Sequence, residues 1–208
     1  MLPYLLAGGL GYLIGSFPTA YLLVKWKSRI DLRTVGSRNV GTLNSYEVTN
    51  SKTVGAIVLV VDLLKGVVAV LLTRTIIGNE FSLLAWAGIG SLLGHNFSPW
   101  IGFKGGRGLA TAAGVMLVLS WMLVPVWMIA WFVGYKSSKD VNVGNAIASL
   151  SVLAAALLTP DAWLIKVIPD GATVGAFRMF TAILVFVILL KLIEPVREYF
   201  TASRLPEV

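Results

Sequence analysis

The 208-residue chain has no cysteine, a single histidine and little charge of either sign. The absence of cysteine excludes disulfide bonds and thiolate chemistry. One histidine without cysteine argues against a protein-bound transition metal, so we expect no metal and no cofactor. Only 13% of the residues are charged and 57% are hydrophobic, whereas an average soluble domain is about 25% charged. These proportions predict an integral membrane protein.

Acidic residues are scarce: ten stand against seventeen basic ones, and the net charge is +7. A basic excess can indicate nucleic-acid binding, but in a membrane protein it first indicates cytoplasmic loops. We therefore infer no nucleic-acid partner and no obligatory protein partner. The N-terminus carries no basic side chain before Lys25, so it lacks the basic region of a signal peptide. Residues 2–24 are predicted to form a retained first membrane span.

Long apolar runs predict an all-α, polytopic membrane helix bundle. The runs cover residues 2–24, 54–77, 81–94, 109–135, 143–159 and 174–193. The run 109–135 has room for one long span or for two short helices that turn near residues 120–125. No repeat, linker or low-complexity tract is evident, so we expect one integral membrane domain over residues 1–208.

The positions of the basic residues distinguish the two topologies. With two helices in 109–135 and the N-terminus outside, thirteen cations fall inside, three fall outside and Lys65 lies within a helix. The inside set is Lys25, Lys27, Arg29, Arg33, Arg38, Lys52, Lys104, Arg107, Lys136, Lys139, Lys191, Arg197 and Arg204, and the outside set is Arg74, Lys166 and Arg178. This bias follows the positive-inside rule, and it weakens with a single span. We predict about seven transmembrane helices in the cell membrane, with a cytoplasmic C-terminus.

Residues 94–108 combine the only histidine, His95, with two cations and five glycines. The core of this segment reads Gly102-Phe103-Lys104-Gly105-Gly106-Arg107-Gly108. Glycine lets bare backbone approach a ligand, and backbone N–H groups beside Lys and Arg suit an anion such as phosphate. The alternative is a basic cytoplasmic loop whose glycines only make turns.

A second polar loop precedes the second apolar run. It reads Gly36-Ser37-Arg38-Asn39-Val40-Gly41-Thr42-Leu43-Asn44. Many donors and little bulk suit a nest of N–H groups around an anion, with hydroxyl and amide side chains completing the shell. A solvated turn before a short interfacial helix is the alternative. The predicted topology places both loops on the cytoplasmic face, together with residues 136–142.

Asp62 and Lys65 lie within the second apolar run. They are three residues apart, so they share a helix face and can form an ion pair. The next residue, Gly66, permits close approach of another helix. Ionisable residues inside a span favour a functional interpretation, and a neutralised structural pair is the alternative.

A polar stripe begins at the end of the cytoplasmic segment 136–142. Asn142, Asn145 and Ser149 fall at i, i+3 and i+7 and therefore share one helix face. We expect this face to point into the bundle. This face either contacts a substrate or forms hydrogen bonds with a neighbouring helix.

In order and spacing these elements resemble the bacterial acyl-phosphate:glycerol-3-phosphate acyltransferases, a small family of polytopic membrane enzymes. The resemblance covers residues 15–111, about half of the chain. It is carried by Gly15-Ser16-Phe17-Pro18, Asp31-Leu32-Arg33, the loop 36–44, Asp62-x-x-Lys65-Gly66, Gly94-His95 and the string from Gly102 to Gly108 followed by Ala110-Thr111.

The resemblance implies seven helices and transfer of an acyl group from acyl phosphate to the 1-hydroxyl of glycerol 3-phosphate. The product is then lysophosphatidate, made on the cytoplasmic side in phospholipid biosynthesis, and the lipid bilayer surrounds the enzyme. Two substrates that each carry a phosphate account for two anion-binding loops. The candidate catalytic residues are Lys104, His95 and Ser37. The candidate substrate-binding residues are Arg38, Asn39, Gly41, Thr42, Asn44, Lys65, Gly102, Gly105, Gly106, Arg107, Gly108, Asn142 and Asn145.

The chain departs from the family pattern at several positions. Arg38 stands where the family has glycine, and Glu47 stands where it has an arginine that resembles a phosphate ligand. Asn142 and Asn145 replace serines, and residues 191–196 lack the family's histidine and asparagine. One alternative is therefore a related acyltransferase with another acceptor. The other is a transporter of an organic phosphate without catalysis, although the inverted repeats common in transporters are not evident.

Histidine is the side chain whose unperturbed pKa lies nearest neutrality, so His95 is a candidate general base. It is equally a candidate phosphate donor, or a helix-end residue without a role. Pro99 stands four residues on, so the His-x4-Asp dyad of the common glycerolipid acyltransferases is absent. Because acyl phosphate is already activated, orientation and charge stabilisation are the main requirements. We therefore expect Lys104 to contribute more than His95.

Overall fold

The computed structural model describes residues 1–202, which form helices and no strand, as the sequence predicted. The helices are α1 Leu2–Gly15, α2 Thr19–Ser28, α3 Thr42–Thr49, α4 Lys52–Ile76, α5 Phe81–Asn96, α6 Leu109–Leu119, α7 Leu123–Ser138, α8 Val141–Leu158, α9 Asp161–Leu164 and α10 Val174–Ala202. A short 3-10 turn, Pro99–Ile101, follows α5. Arg204, one of the predicted inside cations, lies outside the described residues.

The helices group into two compact units. The first contains Met1–Leu119 with Pro169–Ala172, and the second contains Ser120–Ile168 with the described residues from Thr173 to Ala202. Both glycine-containing loops belong to the first unit, and the polar stripe of α8 belongs to the second. The single membrane domain over residues 1–208 stays a prediction.

Within the described residues 1–202, four helical stretches are long and apolar enough to cross a membrane: Leu2–Ser28, Lys52–Ile76, Val141–Leu158 and Val174–Thr201. The helices α5 and α7 have 16 residues and α6 has 11, fewer than the roughly 20 that a full span needs. The apolar run 109–135 divides between α6 and α7 at residues 120–122, which confirms the prediction of two helices there. Seven spans and the orientation of the termini stay predictions.

The first long stretch is interrupted at residues 16–18, between α1 and α2. Pro18 has no N–H group and restricts the residue before it, which favours a break at this point. The break is tied to the segment after α5, because Ser98 Oγ donates to the Ser16 carbonyl at 2.6 Å and Trp100 Nε1 donates to Ser16 Oγ at 2.9 Å. The α1–α2 break therefore lies beside the start of the glycine-rich loop.

Glycines bring α1 and α5 into close contact. A β-carbon on Gly15 or Gly94 would lie under 3.0 Å from backbone atoms of the facing helix, so a larger residue would push the helices apart. Gly11 and Gly15, like Gly90 and Gly94, have the G-x-x-x-G spacing typical of membrane-helix contacts. This contact fixes the end of α5, where His95 lies.

Apolar side chains anchor the loop between α2 and α3. Leu32 and Val40 are buried in one cluster with Val24 of α2, Val58 of α4 and Ile101 of the 3-10 turn. Full burial of a side chain of this size contributes about 1.5–3 kcal/mol. The loop that carries Ser37 and Arg38 is therefore a packed part of the first unit.

Side chains cap both ends of α8 in the second unit. Asp140 Oδ1 accepts hydrogen bonds from two N–H groups of the first turn, at 2.8 and 2.9 Å. At the other end, Arg178 of α10 donates to the carbonyls of Ala156 and Thr159, at 3.0 and 2.9 Å. These bonds satisfy backbone groups that a helix leaves open at its termini.

Candidate functional site

Asn44 determines the shape of the first loop, residues 36–44. Its side chain is fully buried. Nδ2 donates to the carbonyls of Leu32, Val35 and Asn39, at 3.3, 3.2 and 3.0 Å, and Oδ1 accepts the Ser37 N–H at 3.0 Å. In this structure the Asn44 amide binds the loop backbone at both its oxygen and its nitrogen, rather than presenting either to a ligand.

The other predicted residues of the first loop are more open. Ser37 and Arg38 are exposed, and Asn39 is half-buried. Neither the Ser37 hydroxyl nor the Arg38 guanidinium has a hydrogen-bond or ion-pair partner among residues 1–202. Gly41 caps α3 and Thr42 begins it, so this group lies at a helix N-terminus, which favours anions.

Arg38 has a backbone φ of 56°. This is the left-handed region, which costs an L-residue roughly 1–2 kcal/mol and which glycine adopts freely. The conformation explains why glycine suits this position in the resembling family. Arg38 therefore has a strained backbone conformation, and its side chain is exposed.

Arg33 connects the segment before the first loop to the 3-10 turn. It forms an ion pair with Asp31 at 2.6 Å and donates through Nη1 to the Ile101 carbonyl at 3.2 Å. Hydrogen bonds from the Arg33 guanidinium lower the pKa of Asp31 to about 2. The Asp31 carboxylate is therefore part of the scaffold beneath the loop.

The glycine pair of the second loop, residues 102–108, packs against the end of α5. The Gly105 N–H donates to the Asn96 carbonyl and the Gly106 N–H donates to the His95 carbonyl, both at 3.2 Å. The sequence suggested an anion as the partner of these N–H groups. In the structure these N–H groups donate to carbonyls at the end of α5. Phosphate contacts of this segment would therefore be made by its side chains.

Two cations flank this glycine pair. Lys104 is exposed and has no hydrogen-bond or ion-pair partner within residues 1–202, whereas Arg107 is half-buried. Gly102 and Gly108 have φ values of 67° and 79°, a region that glycine adopts at little cost. Helix α6 begins directly after Gly108, and its N-terminus adds a favourable field for an anion.

Gly106 is the point where the two loops meet. A β-carbon on Gly106 would overlap His95 Nε2 and would lie 2.6 Å from the Val40 carbonyl oxygen. Val40 belongs to the first loop and His95 to the end of α5. The structure thus brings the two loops and the histidine together at one glycine.

Asp62 and Lys65 form the predicted ion pair, and His95 lies beside it. Lys65 Nζ donates to Asp62 Oδ1 at 2.5 Å, and the same oxygen is 3.8 Å from His95 Nδ1. The exposed fractions of Asp62, Lys65 and His95 are 2%, 6% and 8%. Motif spacing showed no acidic partner for His95, because this carboxylate comes from a different helix.

The contact between α4 and α6 fixes the position of Asp62. Thr111 Oγ1 donates to the Asp62 carbonyl at 2.9 Å. A β-carbon on Gly66 would overlap the Thr111 carbonyl, so the predicted close helix approach at Gly66 is confirmed. The sequence analysis named Thr111 only as part of a motif. In the structure its hydroxyl holds the backbone of Asp62.

A small cleft with room for about one water molecule adjoins these residues. Asp62, Lys65 and His95 line it together with residues of the α1–α2 break. Thr19 is 7% exposed, and its hydroxyl has no partner within residues 1–202. The cleft is thus polar, narrow and next to both loops.

The polar stripe of α8 is buried in part. Asn145 and Ser149 are buried, and Ser149 Oγ donates to the Asn145 carbonyl at 2.8 Å. Asn142 is half-buried, and its Oδ1 has no partner among the described residues. Contact of Asn142 and Asn145 with a substrate stays a prediction.

Comparisons with known proteins point in one direction. A family model described as glycerol-3-phosphate acyltransferase matches residues 5–201. A glycerol-3-phosphate acyltransferase 2 from Thermotoga maritima is 40% identical over 139 residues, which are 67% of this chain and 70% of that protein. A glycerol-3-phosphate acyltransferase from Lactiplantibacillus plantarum is 34% identical over 170 residues, 81% of this chain and 80% of the relative.

Comparison with solved structures agrees with the sequence comparisons. The chain is similar to a crystal structure of PlsY (YgiH), an integral membrane glycerol 3-phosphate acyltransferase, in its glycerol 3-phosphate form. The TM-score is 0.78 at 26% identity, over 96% of this chain and 92% of the other. The lysophosphatidic acid form of PlsY gives a TM-score of 0.77 at 24% identity, a likeness of fold.

Proposed function

Because this chain belongs to the glycerol-3-phosphate acyltransferase family of integral membrane enzymes, we propose that it transfers an acyl group from acyl phosphate to the 1-hydroxyl of glycerol 3-phosphate. The product is lysophosphatidate. The observation that carries this proposal is the meeting of two cation-bearing loops at Gly106, beside a buried histidine.

Two phosphate-bearing substrates match two loops with available cations. Arg38 on the first loop and Lys104 on the second are exposed and without partners in residues 1–202. Each loop also lies next to a helix N-terminus, at α3 and at α6, which adds a favourable field for phosphate. We assign one substrate phosphate to Ser37, Arg38 and Thr42, and the other to Lys104 and Arg107.

Acyl phosphate is a mixed anhydride and needs no further activation. The 1-hydroxyl oxygen attacks the acyl carbon, the new ester C–O bond forms, and the bond between the acyl carbon and the phosphate oxygen breaks. The hydroxyl proton passes to the departing phosphate. Positioning of the two phosphates contributes on the order of 7–11 kcal/mol, and Lys104 and Arg107 stabilise the charge that develops on the leaving group.

The donor's acyl chain is apolar and partitions into the bilayer. Four stretches in the described part of the chain have the length and apolar composition of membrane spans. The two loops carry Arg38, Lys104 and Arg107, and basic loops favour the cytoplasmic side. We therefore propose a multi-pass protein of the cell membrane whose active site faces the cytoplasm.

A different acceptor is the second candidate function. Glu47 is exposed on α3, at the position where the resembling family has an arginine. A carboxylate near the first loop repels a phosphate monoester and tolerates a neutral or cationic acceptor. The acceptor is therefore the part of the proposal that most needs direct measurement.

The test uses purified, detergent-solubilised protein with acyl phosphate and glycerol 3-phosphate. Formation of lysophosphatidate in step with phosphate release supports the proposal. Phosphate release without lysophosphatidate indicates another acceptor. Saturable binding of glycerol 3-phosphate without any reaction indicates a transporter and overturns the enzymatic assignment.

A further inference from the structure

A second and larger cavity, of about 270 Å³, lies at the C-terminal end of α4. Its lining residues all belong to the first compact unit: Arg74, Asn79, Phe81, Leu84, Pro169 and Asp170. Phe81 and Leu84 are buried, whereas the three polar residues are exposed. Apolar side chains combined with a few polar groups are typical of small-molecule sites.

The charged groups of this cavity are available to a ligand. Among residues 1–202, the side chains of Arg74, Asn79 and Asp170 have no hydrogen-bond or ion-pair partner. Glu80 is a neighbour in sequence, but it accepts a hydrogen bond from Tyr4 at 3.0 Å and does not line the cavity. The cavity thus offers one positive and one negative group, and a ligand that carries both charges complements both.

The cavity lies at the level of a membrane surface. Helix α4 is long and apolar enough to span a bilayer, and Arg74 is in its last turn. From Lys52 at the start of α4 to Arg74, the rise of 1.5 Å per residue gives about 33 Å. This length is close to the roughly 30 Å of a bilayer's hydrocarbon core. The cavity is therefore about a bilayer thickness away from the start of α4, which follows the first loop and α3.

An apolar stripe on α4 leads along the helix to this cavity. Leu64, Val68 and Leu71 are four and three residues apart, so they share one helix face, and they are 46%, 44% and 41% exposed. Arg74 stands three residues beyond Leu71 on the same face. Hydrocarbon chains that lie along this stripe place a polar headgroup at Arg74. A phospholipid therefore fits the arrangement better than a free zwitterion, which leaves the stripe unused.

We propose that this cavity binds the headgroup of a zwitterionic aminophospholipid, of the phosphatidylethanolamine type. The phosphate contacts the Arg74 guanidinium, whose fork of N–H donors matches phosphate oxygens, and the ammonium group contacts the Asp170 carboxylate. The Asn79 amide donates to the phosphate. An anionic phospholipid makes the contact with Arg74 but is repelled by Asp170. This site is separate from the one proposed for acyl transfer, so either can exist without the other.

Native mass spectrometry of the delipidated, detergent-solubilised protein tests the site. Phosphatidylethanolamine and phosphatidylglycerol with identical acyl chains are titrated separately. The wild type should bind phosphatidylethanolamine about 3- to 5-fold more tightly, in the range that partly exposed ion pairs reach. Asp170→Asn should remove this preference, because phosphatidylethanolamine loses a contact and phosphatidylglycerol loses a repulsion. Arg74→Met should weaken the binding of both lipids.

Lys52→Met is the matched control for Arg74→Met. It removes another exposed cation, at the other end of the same helix, and should leave both affinities unchanged. The side chains of Arg74 and Asp170 are exposed and lack partners within residues 1–202, so their substitution removes no internal bond. The unfolding temperatures of all three variants should therefore match that of the wild type.

Soluble phosphoethanolamine distinguishes a lipid from a free zwitterion. It carries the same two charges without acyl chains, and at equal concentration it should not displace bound phosphatidylethanolamine. Displacement at equal concentration would assign the cavity to a soluble ligand and overturn the lipid assignment. Equal affinities for the two lipids in the wild type, or an unchanged preference in Asp170→Asn, would overturn the proposal as a whole.

Discussion

Gly106 lies so close to His95 that a β-carbon on Gly106 would overlap the Nε2 atom of the imidazole. On the same side, that β-carbon would come within 2.6 Å of the Val40 carbonyl. The second loop therefore touches the first loop through backbone atoms and the end of α5 through the imidazole of His95. A backbone contact leaves less freedom than a contact between long side chains, so the two loops keep a fixed separation.

Gly106→Ala should nearly abolish acyl transfer. The added methyl group displaces either the imidazole or the first loop, and a misplacement of about 1 Å lowers turnover by about 100-fold. Gly9→Ala is the matched control, because a β-carbon on Gly9 meets nothing within 4 Å. Steady-state kinetics of both variants test the contact, and wild-type turnover in Gly106→Ala contradicts it.

Lys104→Ala should abolish acyl transfer while the protein still folds. The ammonium group is exposed and has no partner within residues 1–202, so its loss removes a phosphate contact and no internal bond. Lys52→Ala removes another exposed lysine, at the start of α4, and should leave turnover unchanged. Thermal unfolding of both variants should match the wild type. Near wild-type turnover in Lys104→Ala would exclude Lys104 from catalysis.

Asn44→Asp should destabilise the first unit. A carboxylate only accepts hydrogen bonds, so the carbonyls of Leu32, Val35 and Asn39 would lose their donor and face a buried negative charge. Each unsatisfied buried group costs about 1–3 kcal/mol.

Asn39→Asp provides the comparison for Asn44→Asp, because the Asn39 side chain is half-buried and makes no such bonds. It should leave the unfolding temperature nearly unchanged and raise the KM for a phosphate substrate through repulsion. Equal stability of the two variants would mean that the Asn44 amide does not hold the loop.

The ion pair of Asp31 and Arg33 should make stability depend on acid. The pKa of Asp31 in the folded protein is about 2, below the value of about 3.9 in an unfolded chain. The pair therefore stabilises the fold fully above about pH 4, and this contribution is lost as the pH falls through about 2. Above pH 4, Asp31→Asn should unfold at a lower temperature than the wild type.

The difference between Asp31→Asn and the wild type should shrink as the pH falls toward about 2. Thermal unfolding in detergent at a series of pH values measures this trend. Glu47→Gln removes an exposed carboxylate without an ion-pair partner in residues 1–202 and should show no comparable trend. A pH-independent difference for Asp31→Asn would contradict the assigned pair.

Local properties of the sequence were sufficient for the fold class. Apolar runs and scarce charge predicted membrane helices, because burial in lipid depends on the composition of each segment. The distribution of cations predicted the division of residues 109–135, since each added span reverses the side of every later loop. The motifs around Lys104 and Ser37 indicated the family before any contact was known.

Only the tertiary structure shows that Asp62 lies beside His95. It also shows that the N–H groups of Gly105 and Gly106 donate to carbonyls at the end of α5. The sequence assigned those N–H groups to phosphate, because a string of glycines reads the same whether it approaches a ligand or another part of the chain. The separation of α4, α5 and the loops depends on how closely helices pack at glycines such as Gly15 and Gly66. Such distances arise from long-range contacts, which hydropathy and motif spacing do not contain.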